Sequence, residues 1–338
     1  MSSLVKNIIK YTLTLVLAVA LVFYVLSTVN VAEMINKVKQ AKLSWVILGV
    51  SINLLSHLSR ARRWNLLMEP MGYKPKTHRT FVAVMVGYFA NLFLPRMGEI
   101  SRCAVLKRTD NVPIDKAFGT VVAERAFDFI CLIILIGLSL ILEFNRLTTF
   151  FSEKVFNEPT PTAEASLTTN PLLWGSAILG LCVLMFVSFR EKIKNLNIYK
   201  KIVAFIKGVL EGVFSIRKLK RKNEFIFHTI FIWACYYFMT YLVFFSLEAT
   251  SSLSPVAGLV LLVVGGLGMS APVQGGFGAF HEFVSSALEG FYHLSKLDGL
   301  AFAVVIHTSQ TLAVIIVGGA AVIVTLFLSR KTQIDDLR

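Results

Sequence analysis

Residues Phe118–Leu142, FGTVVAERAFDFICLIILIGLSLIL, form one apolar stretch with three charged side chains near its start. A helix that crosses a bilayer needs about 20 mainly apolar residues, and an ionised side chain at its centre costs about 2.5–3.5 kcal/mol. The stretch therefore predicts a membrane-spanning helix whose charged residues, Glu124, Arg125 and Asp128, face a polar interior. Glu124 and Asp128 are four residues apart, so they share one face of this helix.

The rest of the chain has the composition of an integral membrane protein. Of its 338 residues, 55% are hydrophobic and 16% are charged, whereas soluble domains are about 25% charged. This composition excludes a soluble enzyme, a disordered chain and a secreted disulfide scaffold. Further apolar runs predict full spans at residues 8–29, 44–59, 172–189, 225–247 and 299–328.

The basic residues predict the orientation in the membrane. They give a net charge of +14 and concentrate in residues 60–80, 96–116 and 190–224, which predicts that these segments and both termini are cytoplasmic. We expect contact with anionic lipid headgroups at this surface and no nucleic acid partner. Segment 190–224 predicts an amphipathic helix on the cytoplasmic leaflet, or alternatively a linker helix packed on the bundle. Residues 143–171 predict an outer loop.

Two shorter apolar segments are interrupted by proline and glycine. Residues 80–94 end at Pro95 and Gly98, and residues 256–271 end at Pro272 and continue past Gly278 into 279–291. Short broken segments of this kind predict re-entrant elements. Each lies between two spans, in repeats covering residues 44–142 and 225–328. We therefore predict an all-α polytopic membrane protein, a single transmembrane domain over residues 1–338, with about six full spans and two re-entrant broken-helix elements arranged as an inverted repeat.

The two turns and the charged span supply the candidate binding residues. The half-helix after Gly98 presents backbone N–H groups to an anion, and Arg96 beside it can hold a phosphate bidentately. In the alternative interpretation Arg96 pairs only with Glu99 or Asp128. The predicted substrate-binding residues are Asn91, Arg96, Glu99, Arg102, Glu124, Arg125, Asp128, Gln274, Gly275, Gly276, His281 and Glu282. Pro95, Gly98, Pro272 and Gly278 are predicted to shape the turns, and Arg60 and Arg63 to guide headgroups inward from the cytoplasmic side.

The charged residues of the long span leave two roles open. Glu124 and Asp128 could hold Arg96 or Arg102 in place or carry protons, or the charges could form a buried network that only fixes helix packing. The sequence has no phosphate-binding loop, zinc-protease motif or nucleophile elbow. We therefore expect no ATP hydrolysis, no metal, no cofactor and no catalytic residues.

Four motifs together resemble a known family, the lysylphosphatidylglycerol synthase transmembrane family, also called flippase-like domain proteins. They are Arg63-Trp64-x-Leu66-Leu67, the segment from Gly87 to Arg102, Thr120-Val121-Val122-x-Glu124-Arg125-x2-Asp128, and Pro272-x2-Gly275-Gly276-x-Gly278-x3-Glu282. The resemblance covers about residues 5–330 and implies a multi-pass protein of the bacterial cytoplasmic (inner) membrane. In relatives this domain moves an aminoacylated phospholipid between leaflets beside a separate aminoacyl-transferase domain. Few residues follow Ser329, so we expect no lysylphosphatidylglycerol synthesis.

The sequence thus favours a lipid translocase that does not hydrolyse ATP. Its substrate would be an anionic or modified phospholipid, or a polyprenyl-phosphate lipid, passing through a polar groove between the re-entrant elements. Two alternatives stay open. One is a scaffold that recruits a lipid- or glycan-modifying synthase through segment 190–224. The other is an intramembrane glycolipid transferase with Glu99 or Asp128 as base.

Overall fold

The computed structural model describes residues 3–146, 148 and 219–336, and all regular structure within them is helical. Three predicted segments lie wholly or mostly outside the described residues. They are the span at 172–189, the outer loop at 143–171 and segment 190–224. The helices, numbered in chain order within the described part, are α1 (Ser3–Ser27), α2 (Val31–Lys39), α3 (Leu43–Met68), α4 (Thr77–Phe93), α5 (Gly98–Asp110), α6 (Ile114–Leu142), α7 (Lys222–Phe244), α8 (Pro255–Met269), α9 (Ala279–Tyr292) and α10 (Lys296–Asp336).

Three of these helices are long and apolar enough to cross a membrane by themselves, namely α6, α7 and residues Lys296–Leu328 of α10. They coincide with three of the predicted spans. Residues Thr12–Ser27 of α1 and helix α2 meet at an angle of 89°, and together they are long and apolar enough to form one bent span. The chain is therefore a multi-pass membrane protein, and its regular structure is helical throughout the described ranges.

Helix α3 differs from the span predicted at residues 44–59. It continues to Met68 and is not apolar enough to count as a span by composition. The reason is a row of polar side chains, including Asn53, His57 and Arg60, which are at most 8% exposed. These side chains point into the protein, so neighbouring helices rather than lipid surround the polar groups of α3.

The first broken segment forms a helical hairpin of α4 and α5. The helices are joined by residues 94–97, where Arg96 has a left-handed backbone with φ of 63°. Gly98 begins α5, and a Cβ at this position would overlap the carbonyl oxygen of Gly87 on α4. The Gly98 N–H donates to Asn91 Oδ1 at 2.7 Å, which satisfies one of the free N–H groups at the start of α5.

The second broken segment forms a corresponding hairpin of α8 and α9. Gly275, Gly276 and Gly278 all have positive φ in the connecting turn, a conformation that glycine adopts without strain. The helices approach closely where a Cβ on Gly268 would lie 2.9 Å from the Cα of Phe280. Both predicted interruptions are thus hairpin turns.

The turns of the two hairpins lie against each other. A Cβ on Gly275 would lie 3.2 Å from Leu92 Cδ2 near the end of α4. His307 on α10 donates from Nε2 to the Gly275 carbonyl oxygen at 2.8 Å. Helix α10 therefore fixes the second turn beside the first. The predicted inverted repeat and the re-entrant depth of the hairpins remain predictions.

Apolar side chains form the core and also cover much of the outside. The largest core cluster joins α7, α9 and α10 around Phe244, Leu288 and Phe302. Large apolar residues are exposed on several helices, with Phe23 and Ile141 each 74% and Ile316 70% exposed. Exposed apolar surface of this extent is what a lipid-facing protein requires.

Candidate functional site

Helix α6 packs against α3 and α5 and brings six charged side chains together, which we call the ionic cluster. Its members are Arg60, Arg63, Arg102, Glu124, Arg125 and Asp128. Glu124 is its centre, because its carboxylate is fully buried and contacts all four arginines. Arg102 and Arg125 each donate to Glu124 at 3.0 Å, and Arg63 lies 3.4 Å away.

Asp128 completes the cluster one helical turn after Glu124. It accepts from Arg63 at 2.7 Å and from Arg60 at 2.9 Å, and Arg125 lies 3.5 Å away. Four guanidinium groups therefore share two carboxylates, which leaves an excess of two positive charges. Such an excess in a largely buried place favours an anionic ligand, since buried charges are otherwise costly.

Neighbouring side chains hold the arginines in position. Arg60 donates from Nη2 to Tyr236 Oη at 3.0 Å. Arg102 lies over the Trp64 ring, 4.5 Å from its centroid, and Trp64 donates from Nε1 to Thr120 Oγ1 at 2.8 Å. Helices α3, α5, α6 and α7 are thus joined through the cluster.

A cavity of about 70 Å³ lies beside the ionic cluster, between α4, α5 and α6. Its lining consists of Val84, Gly87, Tyr88, Asn91, Gly98, Glu99, Arg102 and Arg125. Arg102 is only 4% exposed, and its Nη2 has no hydrogen-bond partner within the described part of the chain. The same holds for the buried Oε2 of Glu99. Two residues with an unpartnered polar atom, one a donor and one an acceptor, are therefore among those that line the cavity.

Four predicted binding residues, Asn91, Glu99, Arg102 and Arg125, line this cavity, but Arg96 does not. Arg96 is exposed in the turn. Arg96 makes no ion pair with Glu99 or Asp128 in the described part of the chain. The structure therefore does not agree with the alternative interpretation, in which Arg96 pairs only with one of these carboxylates. Arg96 and Arg102 were the two predicted partners of the α6 carboxylates, and of these two the structure places Arg102 in contact with Glu124.

Arg60 and Arg63 occupy a different environment from that predicted. As guides for headgroups they should be accessible at a cytoplasmic end, yet they are 3% and 0% exposed. They are buried because both contact Glu124 and Asp128 of α6. Arg60 and Arg63 are three residues apart on α3, and Glu124 and Asp128 are four apart on α6, so each pair lies on one face of its helix. This shared-face spacing is the feature of the sequence that could have predicted the pairing. Nothing in the sequence pointed to the supporting roles of Trp64 and Tyr236.

The predicted residues of the second turn form a separate group. His281 and His307 have ring centroids 4.8 Å apart, and the Gln274 amide lies 3.2 Å from Thr14 Oγ1 on α1. Glu282 accepts from Lys296 at 2.9 Å and from Ser286 at 2.7 Å. The carboxylates of the two turns thus differ, because Glu282 has a cationic partner and Glu99 has none among the described residues. In that part of the chain no three His, Cys, Asp or Glu side chains cluster as metal ligands.

Comparison with known proteins identifies relatives in archaea. A UPF0104 membrane protein of Pyrococcus horikoshii is 24% identical over 306 residues, covering 82% of this chain and 86% of its own length. Another, from Methanocaldococcus jannaschii, is 26% identical over 125 residues, which span 36% of this chain and 37% of that protein. No solved structure matches the chain.

A longer relative carries a functional name. The protein named glycosyltransferase AglD of Haloferax volcanii is 22% identical over 332 residues, and the match spans 91% of this chain but 53% of that protein. The family described as the lysylphosphatidylglycerol synthase TM region matches residues 11–318. This agrees with the resemblance carried by the sequence motifs. The chain therefore belongs to the lysylphosphatidylglycerol synthase TM region family.

Proposed function

We propose that this protein moves a lipid with a phosphate-containing headgroup between the two leaflets, without ATP hydrolysis and without acting as an enzyme. One observation carries the proposal, namely that the ionic cluster, with its two excess positive charges, borders a cavity at the start of α5. An anionic headgroup inside a bilayer needs this kind of compensation, because an unpaired charge there is strongly unfavourable. Membership in a family named for a lipid synthase supports a lipid substrate.

The chemistry of the cavity suits a phosphate. Arginine binds phosphate with paired N–H donors, and Arg102, whose Nη2 has no partner among the described residues, lines this cavity. The start of α5 adds a partial positive charge, since a helix N-terminus attracts anions. The carboxylate of Glu124 keeps Arg102 in place while leaving that nitrogen uncommitted.

The hairpins suggest the route. Broken helices whose turns meet inside the membrane are typical of transporter binding sites. Here the turns of the α4–α5 and α8–α9 hairpins are in contact, and we infer that the headgroup passes along a polar groove between them while the acyl chains remain in lipid. Arg96, Gln274, His281 and Glu282 are then residues of the path rather than of the cavity. Cytoplasmic termini and the bacterial inner membrane remain part of this proposal.

The test is transport in proteoliposomes containing a phospholipid with a fluorescent acyl chain. Addition of a membrane-impermeant quencher to the outside reports how fast lipid from the inner leaflet arrives. Wild-type protein should raise the rate of lipid movement to the outer leaflet above that of protein-free vesicles. Arg102→Gln should lower this rate about tenfold or more, which corresponds to the loss of one charge-assisted hydrogen bond. Lys107→Gln is the matched control, because Lys107 is exposed on the same helix. Equal rates for Arg102→Gln and Lys107→Gln would refute the proposed site.

A second candidate, glycosyl transfer on a lipid-linked sugar, is favoured by the similarity to the protein named glycosyltransferase AglD. The match covers about half of that protein, so the activity could belong to the other half. In this chain Glu99 would be the better base, since Asp128 is already paired with three arginines. Product formed from a polyprenyl-phosphate sugar by purified protein, and lost in Glu99→Gln, would replace the translocase proposal.

A further inference from the structure

We propose that the cavity beside the ionic cluster is open to lipid on the α6 side, and that the phosphate of an entering lipid binds at Arg125. This lipid has a headgroup with a net negative charge, and its acyl chains lie along an exposed apolar face of α6. The inference rests on the proposed function, because the same cavity receives the headgroup of the transported lipid. It adds the residue at which the lipid enters and the net charge of that lipid.

Arg125 differs from the other members of the ionic cluster in its exposure. Its side chain is 45% exposed, whereas no other member of the cluster exceeds 13%. Its one hydrogen bond within the described part of the chain runs from Nη2 to Glu124. Nη1 and Nε therefore keep their N–H donors for a ligand. Since Arg125 also lines the half-open cavity, it connects the buried charges with the surroundings of the protein.

The surroundings of Arg125 on α6 are apolar and lipid-facing. Phe118 and Val122 precede it on the same face of the helix, and Phe129 and Ile133 follow it. These four side chains are 41–51% exposed, and α6 is long and apolar enough to cross a membrane. An arginine that only anchors a span at the water boundary has exposed apolar neighbours on one side of it. Arg125 interrupts an apolar stripe instead, so its charge is accessible from lipid.

The rest of α6 is long enough to accompany the acyl chains. The helix continues from Arg125 to Leu142, which is about 25 Å at about 1.5 Å per residue. One leaflet contributes about 15 Å to a hydrocarbon core of about 30 Å. A lipid whose phosphate is at Arg125 therefore has apolar residues of α6 beside its acyl chains through the whole leaflet.

The charge of the site favours a lipid with a net negative headgroup. The ionic cluster has two excess positive charges, and Glu99, which also lines the cavity, offsets one of them. A headgroup with one net negative charge, such as that of phosphatidylglycerol, neutralises the remainder. A zwitterionic headgroup brings no net charge and leaves the excess in a largely buried place, which is costly.

The experiment uses the full-length protein in mild detergent and a phosphatidylglycerol with a photoreactive diazirine in one acyl chain. Peptide mass spectrometry then maps the labelled residues. Labelling between Phe118 and Ile133 should be halved by unlabelled phosphatidylglycerol at a concentration about tenfold lower than that needed of phosphatidylethanolamine or phosphatidylcholine with identical chains. Labelling near Ile316, which is exposed on α10, should respond equally to all three lipids, because it reports the general lipid surface.

Variants of Arg125 test the role of its charge. Arg125→Gln should remove the difference between phosphatidylglycerol and the two zwitterionic lipids, whereas Arg125→Lys should retain part of it because the charge remains. Arg146→Gln is the matched control. The Arg146 side chain is also 45% exposed and pairs with a nearby carboxylate, that of Glu143, but Arg146 does not line the cavity. This variant should behave like wild type.

The wild-type comparison decides the inference even where a variant fails to fold. Equal competition by the three lipids at α6, labelling near Ile316 without labelling of α6, or an unchanged preference in Arg125→Gln would overturn it. The two proposals fail separately. Transport without a preference for phosphatidylglycerol at α6 removes only this inference, and Arg125-dependent competition without transport removes only the translocase.

Discussion

Neutralising Glu124 should destabilise the protein more than any other single charge change in the ionic cluster. In Glu124→Gln the side chain keeps its size, but four arginines lose their shared carboxylate and only Asp128 remains. The excess in this place rises from two positive charges to three. Removing one partner of a buried ion pair typically costs about 3–5 kcal/mol, because the other charge stays buried. We expect a loss of unfolding free energy in this range.

The assay is reversible unfolding of purified protein in mixed micelles, followed by tryptophan fluorescence as the denaturing detergent increases. Glu248→Gln is the matched control, because Glu248 is exposed and surface changes usually stay within about 0.5 kcal/mol. Asp128→Asn should lie between the two, since Asp128 contacts three arginines and its side chain is 13% exposed.

A loss below about 1 kcal/mol in Glu124→Gln would refute this reasoning, because the arginines would then not depend on the carboxylate. A double-mutant cycle with Arg102→Gln sharpens the test. Direct coupling of the pair predicts that the double variant is more stable than the two single losses imply, by about 0.5–3 kcal/mol. Strict additivity would mean that the 3.0 Å contact contributes nothing to stability.

Three further changes test the turn and the support of the cluster. Gly98→Ala should cost about 1–3 kcal/mol in the same unfolding titration, because its Cβ would overlap the Gly87 carbonyl oxygen; an unchanged midpoint would show that the hairpin is not close-packed. Arg96→Gly should fold normally, because glycine adopts a φ of 63° freely, so any loss of lipid transport in vesicles reports the missing guanidinium alone. Trp64→Phe should cost about 1–3 kcal/mol in the unfolding titration, since a fully buried indole is replaced by a smaller ring and its hydrogen bond to Thr120 is lost; a neutral result would remove Trp64 from the support of Arg102.

The sequence predicted features that depend on local length and composition. Apolar runs identified α6, α7 and α10 as spans, and proline and glycine located both hairpin turns. The shared face of Glu124 and Asp128 follows from helical geometry alone. Each of these conclusions needs only neighbouring residues.

What the sequence could not predict is which helices lie beside each other. Arg60 and Arg63 follow an apolar run, so cytoplasmic anchoring explained them as well as burial did. Only the packing of α3 against α6 turns them onto Glu124 and Asp128. Arg96 shows the opposite case, because the left-handed turn leaves it outside the cavity. Because Arg96 is two residues before Gly98, the sequence suggested that its side chain reaches the anion site at the start of α5, but Arg96 does not line the cavity there.

The most direct test of the central claim is to identify the lipids that stay bound to the purified protein. Native mass spectrometry in mild detergent would compare wild type, Arg102→Gln and the surface control Lys107→Gln. A phosphate headgroup in the cavity predicts one lipid class strongly enriched over the bulk membrane in wild type and Lys107→Gln, and lost in Arg102→Gln. A lipid profile equal to the bulk membrane in wild type, or the same enrichment in all three proteins, would contradict a headgroup site at Arg102.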